Sequence, residues 1–64
     1  METLKYFKLK GTYIGANMWE IWNDDETNVY HYAESTRPNG KARYMINGTV
    51  VTEAKIREEL KIED

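Results

Sequence analysis

Cysteine is absent from the 64 residues, and His31 is the only histidine. Those two facts exclude disulfides, thiolate metal ligation and a zinc site of the usual Cys/His kind. No run approaches the ~18 consecutive apolar residues of a membrane helix. Met1-Glu2-Thr3-Leu4-Lys5 carries no apolar stretch behind its charges, so no signal peptide is visible. Together these absences predict a cytoplasmic protein with no membrane association. A glycosylation-type triplet, Asn47-Gly48-Thr49, is then read as a turn. No glycine-rich phosphate loop occurs. No carboxylate spacing matches a calcium loop, although Asp24-Asp25-Glu26 are adjacent. One histidine near one glutamate, without a nucleophile or an oxyanion donor set, does not make an active site. The expectation is a non-enzymatic chain with no cofactor and no metal.

A chain of this length is one domain at most and has a thin core, burying about 60% of the surface its unfolded form exposes. Domains below roughly 70–80 residues usually need disulfides, a metal or self-association. With the first two excluded, packing and association remain. Aromatic residues suit both, and two Trp, five Tyr and one Phe make up 12% of the chain.

The net charge is −2, so there is no bulk attraction to nucleic acid. The distribution is more telling. Lys5, Lys8 and Lys10 are basic. Glu20, Asp24, Asp25, Glu26 and Glu34 follow with no Lys or Arg between the first and the last. Arg37, Lys41 and Arg43 then form a second basic group.

Alternation of Phe7 and Leu9 with Lys8 and Lys10 predicts a strand over 4–14, bent at Gly11. Aromatic and β-branched runs predict strands at 18–22 and 28–36, joined by a polar loop. Arg37-Pro38-Asn39-Gly40 predicts a hairpin into a strand at 41–46, and Asn47-Gly48 a tight turn into a short strand at 49–50. A helix is expected over 53–61. Thr52 would be its N-cap, and Val51 would form a staple with Ile56. The expected fold is α+β: an antiparallel β-meander of four to five strands with one C-terminal helix packed on the sheet.

Pairing Ile21 with Tyr30 sets Trp19 opposite Tyr32 and Glu20 opposite His31. The next hairpin is expected to set Ala33 opposite Tyr44 and Glu34 opposite Arg43. One face then carries Trp22, Val29, His31, Ala33, Ser35, Ala42, Tyr44 and Ile46, and its small alanines leave room for the helix. The other carries Trp19, Ile21, Tyr30, Tyr32, Glu34, Arg43 and Met45. A single helix cannot cover both faces.

The leading functional expectation is a non-catalytic protein-binding domain. It would dock another protein through Trp19, Tyr30, Tyr32 and Met45, or through Asp24, Asp25 and Glu26 presented as a mimic of nucleic-acid charge. A nucleic-acid-binding β-domain using its tyrosines with Arg37, Lys41 and Arg43 is the alternative. A third is a homodimer closed through the aromatic face.

The stretch Tyr44-Met45-Ile46-Asn47-Gly48-Thr49-Val50-Val51-Thr52, with the charged helix behind it, is a strand–Asn-Gly–strand–helix module. It is similar to the endings of many short proteins from phages and mobile elements of Gram-positive bacteria. The resemblance covers the last third of the chain and carries over no individual residue. It implies an accessory protein of the host-takeover kind. Such proteins, among them anti-CRISPR and other defence inhibitors, act by binding a host protein.

Overall fold

A computed structural model of the chain describes residues 1–63. The element order is α1 (Thr3–Lys10), β1 (Thr12–Gly15), β2 (Met18–Trp22), β3 (Val29–Ala33), β4 (Arg43–Ile46), β5 (Thr49–Val51) and α2 (Glu53–Leu60). The five strands form one antiparallel sheet in chain order, β1-β2-β3-β4-β5. The fold is therefore α+β, an antiparallel meander with a C-terminal helix and, in addition, a short N-terminal helix. No helix among the described residues is long and apolar enough to cross a membrane.

The N-terminal helix corrects the first part of the strand expected over 4–14; the part after Gly11 does form a strand, β1. Thr3 and Phe7 are buried, and Leu4 packs on the core beside them. That spacing of three and four is helical, and it overrides the apparent alternation. Leu9, the residue that suggested period two, is 66% exposed. Leu and Lys are good helix formers, and Lys8 and Lys10 in the last turn complement the helix dipole. Gly11 ends the helix, its N–H donating to the Phe7 carbonyl at 2.8 Å. A Cβ at Gly11 would sit 2.5 Å from that same oxygen, so glycine is what allows the chain to leave here.

Helix α2 forms as its sequence predicts. The Thr52 hydroxyl accepts from the Lys55 N–H at 3.1 Å, and Glu53 lies in the first turn. Ile56 is fully buried, with Val51 and Leu60 packed around the same core. The helix ends at Leu60, followed by Lys61 in the left-handed region at φ 56°. Eight residues are too few for a stable isolated helix, so both helices depend on the sheet.

They lie on the same side of it. Phe7 from α1 and Ile56 from α2 share one buried cluster with Tyr30 and Tyr32 of β3. Thr3, 1% exposed, ties the helices together. Its hydroxyl donates to Glu53 Oε2 at 2.7 Å and accepts from an Arg57 guanidinium N–H at 2.8 Å. Rings of Phe7, Trp19 and Tyr44 surround that of Tyr32, with centroids 5.6 to 5.8 Å from it.

Register explains which face is covered. β2 and β3 pair as expected: Ile21 with Tyr30, Glu20 with His31, Trp19 with Tyr32. The β3–β4 pairing differs by one residue, with Tyr32 opposite Tyr44 and Ala33 opposite Arg43. The expected turn does form, as Gly40 N–H donates to the Arg37 carbonyl at 3.0 Å. However, pairing stops at Ala33 and resumes at Arg43, so residues 34–42 form a longer loop. Slipping by one exchanges faces. Tyr44 and Ile46 thereby join Trp19, Ile21, Tyr30 and Tyr32 beneath the helices, while Met45 and Arg43 turn to the other side. This corrects the facial partition and moves the helix to the face opposite the one expected.

Burial has a measurable consequence. It pushes the Tyr32 hydroxyl up to about 12, with the Glu34 carboxylate adding to the effect, and burial raises Tyr44 as well. A phenol whose pKa is raised by folding stabilises the fold fully below the unfolded value of ~10, and that contribution is lost as pH rises through the folded value. Alkaline unfolding is therefore expected between these limits. A Tyr32→Phe variant should lack that phenolate transition in absorbance and keep its stability to higher pH.

Candidate open-face binding site

Both helices cover one side of the sheet, so the other side has no layer on it. Met18, Trp22, Val29, Met45 and Val50 lie there, and none belongs to the buried cluster or packs against it. Trp22 is 52% exposed and Val50 64%. The pleat produces this directly. Trp22 and Val29 pair across β2–β3, Met45 and Val50 across β4–β5, and Glu20 and His31 lie between them.

Glu20 and His31 hold the middle of this face. His31 Nε2 is 3.0 Å from Glu20 Oε2. The Trp22 indole N–H donates to Glu20 Oε1 at 2.8 Å. The indole hydrogen bond, then His31, hold the Glu20 carboxyl below its ordinary value. The carboxylate therefore fixes the orientation of Trp22, which presents its ring as a rigid, half-exposed apolar plate. Such pre-ordered aromatic surface loses little entropy on docking.

Charges mark the two ends. At the β2–β3 end, Asp24, Asp25 and Glu26 are exposed on a loop built by Asn23. The Asn23 Oδ1 accepts from the N–H groups of Thr27 at 2.8 Å and Asn28 at 3.0 Å. Its Nδ2 donates to Thr27 Oγ1 at 2.8 Å. At the β3–β4 end, Arg37, Lys41 and Arg43 line a shallow pocket with Ser35 and Thr36, bordered by Ala33. Glu34 is in the same pocket, but its carboxylate faces Lys8 Nζ at 3.0 Å. Ala33 and Arg43 are cross-strand partners on the open face, so the basic pocket is continuous with it.

The sequence-predicted site residues are thus divided. Tyr30 and Tyr32, each 3% exposed, are core under the helices, and Trp19 packs against them with Lys8 Nζ 5.1 Å from its ring. The N-terminal helix and the one-residue shift, which together put both helices on this side of the sheet, are the reason for that burial. Met45 is on the open face, and Asp24, Asp25 and Glu26 flank it at one end. Arg37, Lys41 and Arg43, the residues of the nucleic-acid alternative, gather at the other. Sequence reasoning missed Trp22, Met18, Val29 and Val50 as surface residues. The signal for them was present in the correct β2–β3 register, which sets Trp22 apart from Trp19. A second groove between α1 and α2, about 930 Å³, is floored by Tyr44 and crossed by the Thr3, Glu53 and Arg57 hydrogen bonds that join the helices. No family model matches this chain, and neither a curated protein nor a solved structure matches it.

Proposed function

We propose that the chain is a non-catalytic protein-binding domain that docks through its open sheet face. The observation that carries this is Trp22. It is a large aromatic held half-exposed by Glu20, in a face that contributes nothing to the core. Trp in that setting is the residue type most enriched among energetic anchors of interfaces. Five apolar residues on an unlayered sheet face form a patch of the kind that marks interaction sites. The acidic and basic loops at its ends supply a polar rim that orients a partner.

Support for a non-catalytic role comes from the chemistry of the face. Its titratable centre is a Glu–His pair whose carboxylate is already bound to an indole, with no nucleophile beside it. The inhibitor reading and the homo-oligomeric reading were both expected to use the face carrying Trp19, Tyr30 and Tyr32; with that face under the helices, either one is carried here to the open face, and they differ in what occupies it.

The test is association of Trp22→Ala with any protein captured by the wild-type chain, its own second copy included. The variant should stay folded by circular dichroism and lose the association. Retained association in the folded variant would remove the open face from the interface.

A further inference from the structure

We infer that the occupant of the open face is a second copy of this chain, stacked face to face with its strands running opposite to those of the first. This rests on the reading of the open face as an interface.

The fold separates charge along the strands. In a meander, the β2–β3 loop and the β3–β4 loop lie at opposite ends of β3. Asp24, Asp25 and Glu26 occupy one, and Arg37, Lys41 and Arg43 the other. Among the described residues none of these six takes part in a salt bridge within the chain. Both ends flank the same open face: Trp22 leads into the acidic loop, and Arg43 belongs to the face itself.

Two copies that share a face are related by a two-fold axis lying in the interface. If that axis runs along the strands, acidic loop meets acidic loop and basic meets basic. If it runs across them, each acidic loop meets the partner's basic loop, twice over by symmetry. Only the second arrangement is attractive, so charge selects opposed strands. In the aligned class of sheet packing the strands stay within about 30° of one another, so end stays over end, and the two acid–base contacts select that class over the orthogonal one. The apolar residues between the ends then meet across the two-fold, Trp22 and Val50 of one copy against the corresponding face of the other. A dimer would also add buried area to a thin core that no disulfide supports.

The experiment is sedimentation equilibrium of the full chain and of two charge-reversed variants. In one, Asp24→Lys, Asp25→Lys and Glu26→Lys make both ends basic. In the other, Arg37→Glu, Lys41→Glu and Arg43→Glu make both ends acidic. The wild type should have twice the 7.6 kDa mass of one chain. Each variant alone should dimerise at least about tenfold more weakly, and an equimolar mixture should recover a one-to-one heterodimer. Recovery should weaken at 1 M salt, where the screening length is about 3 Å. A control with Glu58→Lys, Glu59→Lys and Glu63→Lys carries the same change in net charge as the first variant, away from the face, and should dimerise as the wild type does.

A wild type that is monomeric at every concentration overturns the second copy as occupant. The open face itself is then judged separately, by whether Trp22→Ala loses capture of another protein. A dimer indifferent to Trp22→Ala overturns both. Folded variants that dimerise alone as well as the wild type, or a mixture that fails to recover, overturn the opposed arrangement.

Discussion

Phe7→Ala is expected to destabilise the fold by about 3–5 kcal/mol, the cost of removing a fully buried phenylalanine. Phe7 has no solvent exposure, and its ring lies 5.7 Å from that of Tyr32. Few of the described residues share its burial: Tyr30, Tyr32, Ile56 and the polar Thr3 do. A domain of this length has a total stability of about 3–10 kcal/mol at the usual 0.05–0.15 kcal/mol per residue. The loss is therefore a large part of the whole, and urea unfolding should show a midpoint near zero denaturant or no folded baseline. Leu9→Ala is the internal contrast. Leu9 is two-thirds exposed on α1, so its removal should change stability by no more than about 0.5 kcal/mol. A half-buried strand over 4–14 would place Phe7 and Leu9 on one face and make the two substitutions comparable. Equal losses would contradict the helix.

Trp22→Ala should separate binding from folding. Half of the Trp22 surface already meets water, and its indole N–H is bonded to the exposed-side carboxylate of Glu20. Truncation therefore leaves no cavity, and the stability change should stay below about 1 kcal/mol. Association should fall at least about 30-fold, since truncated interface anchors cost about 2 kcal/mol or more and about 1.4 kcal/mol is a factor of ten. Tyr32→Ala should lose binding for a different reason. It empties the centre of the ring cluster under the helices, so any loss of binding would accompany loss of structure. Calorimetric or sedimentation measurement of association, beside a urea titration of each variant, distinguishes the two. A Trp22→Ala chain that unfolds would mean that Trp22 belongs to the core.

The parts of the fold that were legible in the sequence are those set by local chemistry. Thr52 with Val51 and Ile56 specified where α2 begins. Asn47-Gly48 specified a two-residue turn, and both residues do adopt positive φ, 52° and 84°. The β2–β3 register followed from aligning apolar residues across one loop. Two features were not legible, and each depends on something distant. The segment 3–10 satisfies both periodicities in part. What decides it is the sheet, which has a place for Phe7 and Thr3 but none for Leu9. The β3–β4 register depends on how much of 34–42 stays unpaired, and Arg37-Pro38-Asn39-Gly40 fixes a turn without fixing the ladder on either side of it. Gly40 shows how tight that loop is, since a Cβ there would fall 1.8 Å from the Ser35 Oγ.

The candidate site inherits those two errors. That a single helix cannot cover both faces of the sheet was legible from the aromatic surplus. Which face was open turned on a single residue of register. Tyr30 and Tyr32 are core for that reason, and Trp22, which looked like a residue to be covered, is the exposed one. Asp24, Asp25, Glu26, Arg37 and Lys41 stand in loops as expected, because loop charge does not depend on the pleat, whereas Arg43 begins β4 and changed face with the register.

Adjacent residues on β5 offer the most direct test, and the absence of native cysteine makes it clean. Val50 points to the open face and Val51 packs against the core beneath the helices. Single Val50→Cys and Val51→Cys chains are to be compared for their rate of alkylation, first as dilute monomer and then under conditions of association. The Val50→Cys thiol should react as a free thiol when dilute and become protected on association, while the Val51→Cys thiol reacts slowly throughout. Equal rates at the two positions, or a Val50→Cys thiol that stays fully reactive in the associated state, would contradict the open sheet face as the binding surface.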